Sequence, residues 1–202
     1  MALRGLLPAG VQEPTRQPDG SSLPLRRGDL SFTRQAGPLR VTVAAATAAD
    51  CSALAALEGA ARQEAADRRG GAMLLAIRYP EALGRPGFVR LLEGGAARVW
   101  VGALDGASVG FAVARLVVLA DGRSLAAVDA LYVLAEARGV GLGEALMDEV
   151  LAWAAAGGAA GVDAVALPGD RVTKNFFERY GMTARALQVH RPLSPPPASS
   201  ES

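Results

Sequence analysis

The sequence predicts an α/β chain of the α+β kind, with a mixed, mostly antiparallel central sheet of six to seven strands and about four flanking helices. Three observations carry that expectation. Alternating apolar runs over 97–104, 108–119 and 124–134 are separated by Asp105-Gly106 and Asp121-Gly122, dipeptides that suit tight turns between antiparallel strands. A glycine-rich loop, Arg138-Gly139-Val140-Gly141-Leu142-Gly143, follows the third run and precedes a segment of helical period. A short run from Asp163 to Leu167 follows that segment, as a parallel β-α-β step requires.

The first 38 residues show no period of two or 3.6, because proline or glycine interrupts each apolar stretch (Leu6-Leu7-Pro8, Leu23-Pro24-Leu25). They read as a disordered arm rich in Arg, Pro and Gly. An arm that anchors nucleic acid is the rival reading. The folded domain is expected over 39–193. Leu39, Val41 and Val43 alternate as a first strand, and Asp50 is placed to cap a helix through Leu54, Leu57 and Ala61 that ends near Arg69. Between 72 and 95 the pattern is harder to read: Met73 to Ile77 is apolar, Pro80 and Pro86 punctuate it, and Phe88 to Leu92 suits a short helix. This region is a natural place to shape a substrate site.

After the glycine loop, Leu142, Leu146, Val150, Trp153 and Ala154 share one helical face, and Gly157-Gly158 stops the helix. Asp170 starts a helix carrying Phe176, Phe177 and Tyr180, ended by Gly181. Thr183 to Leu193 is expected to close the sheet as one or two strands, and 194–202 is a proline- and serine-rich tail expected to be disordered.

Composition narrows the function. A formal net charge of +1 provides no global field for nucleic acid, so a nucleic-acid partner is not expected. The single cysteine, Cys51, excludes an intrachain disulfide and fits a reducing compartment, here expected to be the cytoplasm. No apolar run approaches the ~20 residues of a membrane span. No metal site is expected.

The glycine loop carries the chemistry. Glycines ahead of a helix let successive N–H groups converge on one point, and the positive end of the helix dipole points the same way. A phosphate suits such a loop, although a plain glycine-rich turn has the same composition. The spacing excludes a dinucleotide-binding turn, since Glu144 and Leu146 stand where Gly-x-Gly-x-x-Gly needs its third glycine. A P-loop fails because no Gly-Lys-Ser/Thr follows.

With these residues in hand, the chain resembles the GCN5-related N-acetyltransferase family. Leu131-Tyr132-Val133 resembles its fourth strand and Arg138-x-x-Gly141-x-Gly143 its pyrophosphate loop. Phe176-Phe177-Glu178-Arg179-Tyr180-Gly181-Met182 resembles its Phe-Tyr-Glu-Lys-x-Gly-Phe segment. The likeness is specific from about 128 to 182. It implies an acetyl-CoA site: the main chain of Leu131, Tyr132 and Val133 pairing with the pantetheine arm where the fourth and fifth strands splay apart, and amides from Arg138, Gly139, Val140, Gly141, Leu142 and Gly143 on the pyrophosphate. The segment's usual asparagine and tyrosine align with Asp170 and Phe177, both assigned to the cofactor site.

The reaction implied is acetyl transfer from the thioester to a primary amine of a small molecule or protein, with an N–H near Val133 as oxyanion donor. Phe177 cannot donate the proton that the family's tyrosine supplies. Tyr180, one turn on, is the candidate acid, with a packing role as its alternative. Asp129 is the candidate base, and a strand aspartate paired with an arginine is its alternative. Arg138 either adds charge to the phosphates or forms a structural ion pair. A homodimer is expected from the resemblance. Loss of the tyrosine also motivates a second reading, an acyl-CoA-binding sensor or scaffold without turnover.

Overall fold

The computed structural model describes residues 39–95 and 97–191. The expected arm over 1–38 and the tail over 194–202 lie outside the described residues. Strand β1 (Val41–Ala45) leads through a 3-10 turn (Ala48–Asp50) into helix α1 (Cys51–Ala66), then α2 (Gly71–Arg78) and α3 (Gly84–Gly94). Strands β2 (Arg98–Leu104), β3 (Ala107–Val118) and β4 (Ser124–Val133) follow, then α4 (Leu142–Ala156), β5 (Ala159–Asp163) and α5 (Arg171–Arg179). The strands lie side by side in chain order, antiparallel from β1 to β4, with β5 parallel to β4.

The sheet therefore has five strands among the described residues, against the six to seven expected, and five helices against about four. The difference lies at the C-terminal end. No strand forms over 183–191, and Leu187 and Val189 stand exposed. Alternation assigns side chains to faces, but a strand also needs a partner for its N–H and C=O groups. Here an ion pair from Arg185 to Asp163 is what ties this segment to β5. The fifth strand starts four residues earlier than expected, directly after Gly158, whose left-handed φ of +67° turns the chain back toward β4. Asp50 also departs from expectation. It precedes α1, but its carboxylate accepts the N–H and hydroxyl of Thr47, both at 2.8 Å, and makes no side-chain cap bond to α1.

Two apolar layers sandwich the sheet. Helix α4 sets Leu142, Leu146 and Val150 against Trp100, Ala112, Ala114, Val128 and Val133. On the other face α1 and α3 set Cys51, Leu54, Leu57 and Phe88 against Val99, Phe111 and Val113. Two glycines fix the height of α4. Gly102 and Gly110 face each other across β2 and β3. A Cβ at Gly102 would lie 2.9 Å from Leu142 Cδ1, and one at Gly110 would lie 3.3 Å from Leu142 Cδ2. The notch without side chains seats the first residue of α4, so the head of that helix rides close to the sheet.

Glu58 is the one buried charged residue recorded among the described residues. It lies on the apolar face of α1, one turn past Leu54, and its carboxylate caps α3 by accepting the N–H groups of Leu83 at 2.8 Å and Gly84 at 3.0 Å. Arg62 approaches it at 4.0 Å. Removing the carboxylate strands two part-buried donors at a helix start, a loss of about 1–2 kcal/mol. Glu58→Ala should therefore shift the urea midpoint downward with an unchanged slope. A loss below about 0.5 kcal/mol would contradict the cap.

Candidate functional site

Strand β4 is paired with β5 over only part of its length. Pairing begins at Ser124↔Ala159 and stops at Ala127↔Asp163, while β4 continues to Val133. The register with β3 jumps at the same place: Val113 pairs with Ala130 and Ala114 with Val128, leaving Asp129 as an unpaired, bulged residue. A bulge adds local twist and bends its strand. Here it sits where β4 and β5 part, and it bares the edge of β4 from there to Val133.

Peptide geometry says which groups face that opening. The N–H of Leu134 donates to Val109 O at 2.8 Å, on the β3 side. In a trans peptide the carbonyl of Val133 then points the opposite way, into the cleft. Alternation along the strand turns the main-chain groups of Leu131 and Val133 toward the opening and those of Tyr132 toward β3. Tyr132 therefore contributes no edge amide. Its ring lies on the α1 side against Phe111, under the guanidinium of Arg138 at 5.6 Å from the ring centre.

Beyond the edge the chain makes a 3-10 turn (Ala135–Ala137) and enters the glycine loop. Gly139 and Gly141 adopt φ of +82° and +88°, a region that residues with a Cβ rarely enter. Gly141 is the N-cap of α4, and no side chain caps that helix. The first recorded main-chain bond of the helix is Ala145 N–H to Gly141 O at 2.9 Å. Among the described residues, the N–H groups of Gly139, Val140, Gly141, Leu142, Gly143 and Glu144 have no recorded acceptor. Gly143 differs from the other two glycines. A Cβ there would meet Phe176 at 3.6 Å, an ordinary contact, so this position has room for a Cβ and does not need a left-handed backbone.

This arrangement fits a diphosphate carried on an extended arm. The loop offers uncapped donors at a helix start, and the bared β4 edge beside it offers a strand's worth of hydrogen bonds.

The remaining sequence candidates are placed as follows. Asp129, at the bulge, accepts Arg115 Nε at 2.9 Å, so it is paired with an arginine. The phenol of Tyr79, at the end of α2, lies beside it; burial raises the Tyr79 pKa, and the Asp129 charge adds to the rise. Asp170 caps α5 through Thr173 N–H at 3.0 Å and the Thr173 hydroxyl at 2.7 Å, and it also pairs with Arg68 at 2.8 Å. Its carboxylate is thus taken up by the first turn of α5 and by Arg68, in the turn after α1. Phe177 is half-buried and stacks edge-on against Phe176. Tyr180 donates its hydroxyl to Glu144 O at 3.1 Å. Burial, with Asp148 nearby, pushes its pKa up to about 12. It docks α5 onto the first turn of α4.

Arg138 is engaged by protein groups. Its Nε donates to Val133 O at 2.9 Å, and Nη1 and Nη2 reach the two carboxylate oxygens of Glu64 at 3.1 and 2.6 Å. Glu64 also accepts Arg68 at 2.6 Å. The Arg138 hydrogen bond, aided by Arg68 and by both charges, draws the Glu64 pKa down to about 2. Glu64, Arg68, Tyr79 and Arg115 were not singled out from the sequence. Glu64, in the last turn of α1, and Arg68, just past its end, do stand at i, i+4, a spacing that alone suggests only a solvated surface pair. No helix among the described residues is long and apolar enough to cross a membrane.

Solved structures share this architecture at low identity. A ribosomal-protein-alanine N-acetyltransferase from Brucella melitensis biovar Abortus 2308 is 20% identical with a TM-score of 0.56, over 77% of this chain and 100% of that one. A glucosamine-6-phosphate N-acetyltransferase from Arabidopsis thaliana is 14% identical with a TM-score of 0.56, over 77% and 99%. A tetramutant of the BH1408 protein from Bacillus halodurans is 20% identical with a TM-score of 0.64, over 75% and 99%. At these identities the likeness speaks for the fold. Among curated proteins none matches in sequence. The model of the acetyltransferase (GNAT) family matches residues 72–182, which run from α2 through the bared β4 edge and the glycine loop to the end of α5. That span covers more than half of the chain and contains every element that builds the cleft, and the protein belongs to the acetyltransferase (GNAT) family.

Proposed function

We propose that the protein is an acetyl-CoA-dependent N-acetyltransferase acting on a primary amine, of a small molecule or of a protein. The observation that carries this reading is the run of six main-chain N–H groups from Gly139 to Glu144 without a recorded acceptor, beside the bared edge of β4. Acetyl-CoA, when bound, supplies a thioester whose acyl group passes to the amine nitrogen as the C–S bond breaks. The loop amides hold the diphosphate. Leu131 and Val133 offer their edge groups to the pantetheine arm, and the N–H of Val133 faces the cleft as donor to the oxygen on which charge develops.

Asp129 is the proposed acceptor of the amine proton, oriented by Arg115. The departing thiolate needs little acid assistance near neutral pH, since a thiol of this kind has a pKa of about 8.5. Tyr180 is therefore read as a docking residue whose proton is committed to Glu144 O. The cytoplasm is the compartment we expect, and a homodimer the assembly.

A second reading has an observation of its own. Phe177 has no hydroxyl and that of Tyr180 is engaged, so neither aromatic offers α5 a free phenol to serve as acid. This favours a sensor that binds acyl-CoA without turnover. A single-turnover assay separates the two. Protein loaded with radiolabelled acetyl-CoA is mixed with a panel of amines, and label is followed from thioester to amide. Transfer to at least one amine, with one equivalent of free thiol formed, supports the enzyme. Tight binding with no transfer supports the sensor, and absence of binding defeats both.

A further inference from the structure

We infer that Glu64 is a positioning residue for the acyl-transfer site, acting through Arg138 on the peptide that joins Val133 to Leu134. Both ends of that peptide are held. Its N–H donates to Val109 O at 2.8 Å on the β3 side, and its carbonyl accepts Arg138 Nε at 2.9 Å on the open side. A strand edge without a neighbouring strand ordinarily leaves such a carbonyl to solvent. Here a side chain takes the neighbour's place at one position, at the end of the edge.

The guanidinium is planar, so the direction of Nε is set by whatever holds the other two nitrogens. Glu64 holds both, one carboxylate oxygen to each, in a bidentate fork at 3.1 and 2.6 Å. Tyr132 supplies the face on which the guanidinium rests. Glu64 lies 74 residues away on α1 and is itself tied through Arg68 to Asp170 at the start of α5. The chain Arg138–Glu64–Arg68–Asp170 thus runs from the end of β4, over α1, to the helix that follows β5. It links elements from both sides of the opening.

The consequence for the site is specific. With the Val133 carbonyl occupied, the edge offers the pantetheine arm the N–H and C=O of Leu131 and the N–H of Val133. The N–H of Val133 is one peptide away from the braced plane, so its direction is set before any ligand arrives, which is what an oxyanion donor requires. The purpose rests on the acyl-transfer reading; the brace does not.

The test compares Glu64→Gln and Arg138→Lys with wild type, first without ligand. The glutamine keeps the size of Glu64 and loses the charge-assisted fork. The lysine keeps the charge of Arg138 and loses the planar geometry. In both, amide hydrogen exchange at Leu134 should quicken at least about fivefold while amides shared by β2 and β3 stay within twofold. In turnover, both variants should lower kcat about fivefold or more, with KM for acetyl-CoA within about twofold. The pH profile should not move, because Glu64, with its pKa near 2, is ionised throughout an assay near neutrality. Leu134 exchange within twofold of wild type in Glu64→Gln overturns the brace, as does an Arg138→Lys variant that behaves like wild type. Quickened exchange with kcat unchanged overturns its role in transfer. If wild type neither binds coenzyme A nor transfers acetyl, the proposed function fails, and the exchange result still decides the brace.

Discussion

Gly141→Val should weaken coenzyme A binding at least about tenfold in a protein that remains folded. Gly141 holds a φ of +88° as the N-cap of α4, and no atom outside its immediate chain neighbours lies within 4 Å of where its Cβ would stand. Steric room is therefore not the issue; the backbone conformation is. A residue with a Cβ pays about 1–2 kcal/mol to enter the left-handed region, and a branched one more. The chain relieves that strain by turning the 140–142 peptides away, and the amides then no longer converge. A loss of 1.4 kcal/mol in binding is a factor of ten. Gly143→Ala is the internal control: its Cβ would make an ordinary 3.6 Å contact with Phe176, so affinity should stay within about threefold. Calorimetric titration with coenzyme A measures both. Unchanged affinity in folded Gly141→Val would remove the basis for the acyl-CoA reading.

The largest stability loss is expected at Phe111→Ala, about 3–5 kcal/mol by urea denaturation. Phe111 is 2% exposed in the middle of β3, edge-on to Phe88 of α3 at 6.1 Å and tilted against Tyr132 of β4 at 6.3 Å. It joins the helical layer to the strand that forms the cleft, so its removal leaves a cavity bounded by both. Neighbours on two different elements cannot collapse together into that space, which places the cost toward the upper part of the range. A loss under about 1.5 kcal/mol would show that the α1–α3 layer closes over the gap. Because Tyr132 also carries the Arg138 guanidinium, the same variant should loosen the end of β4.

Local chemistry made much of the site readable in the sequence. The Asp105-Gly106 turn has positive φ at both residues, as a two-residue hairpin turn requires, and it fixes β2 against β3. The glycines at 139 and 141 announce a left-handed loop, and the face of Leu142, Leu146 and Val150 announces the helix behind it. What was missed depends on partners distant in the chain. Nothing near Glu64 shows that it will meet Arg138, and nothing near Asp129 shows that Ala114 will pair with Val128 and leave the aspartate bulged. The notch of Gly102 and Gly110 is equally silent until α4 is placed, since a strand glycine has several uses. The short fifth strand was misplaced for a related reason. Ala159–Asp163 is less apolar than 163–167, yet it is the stretch that Gly158 delivers to the edge of β4.

Cys51 opens α1, wholly buried, with its thiol directed at Thr47 O at 3.8 Å. Being the chain's single cysteine, it makes the protein its own chemical clock. A thiol-specific reagent reacts only when the start of α1 lifts from the sheet, so the labelling rate under native conditions reads the frequency of that excursion without any engineered probe.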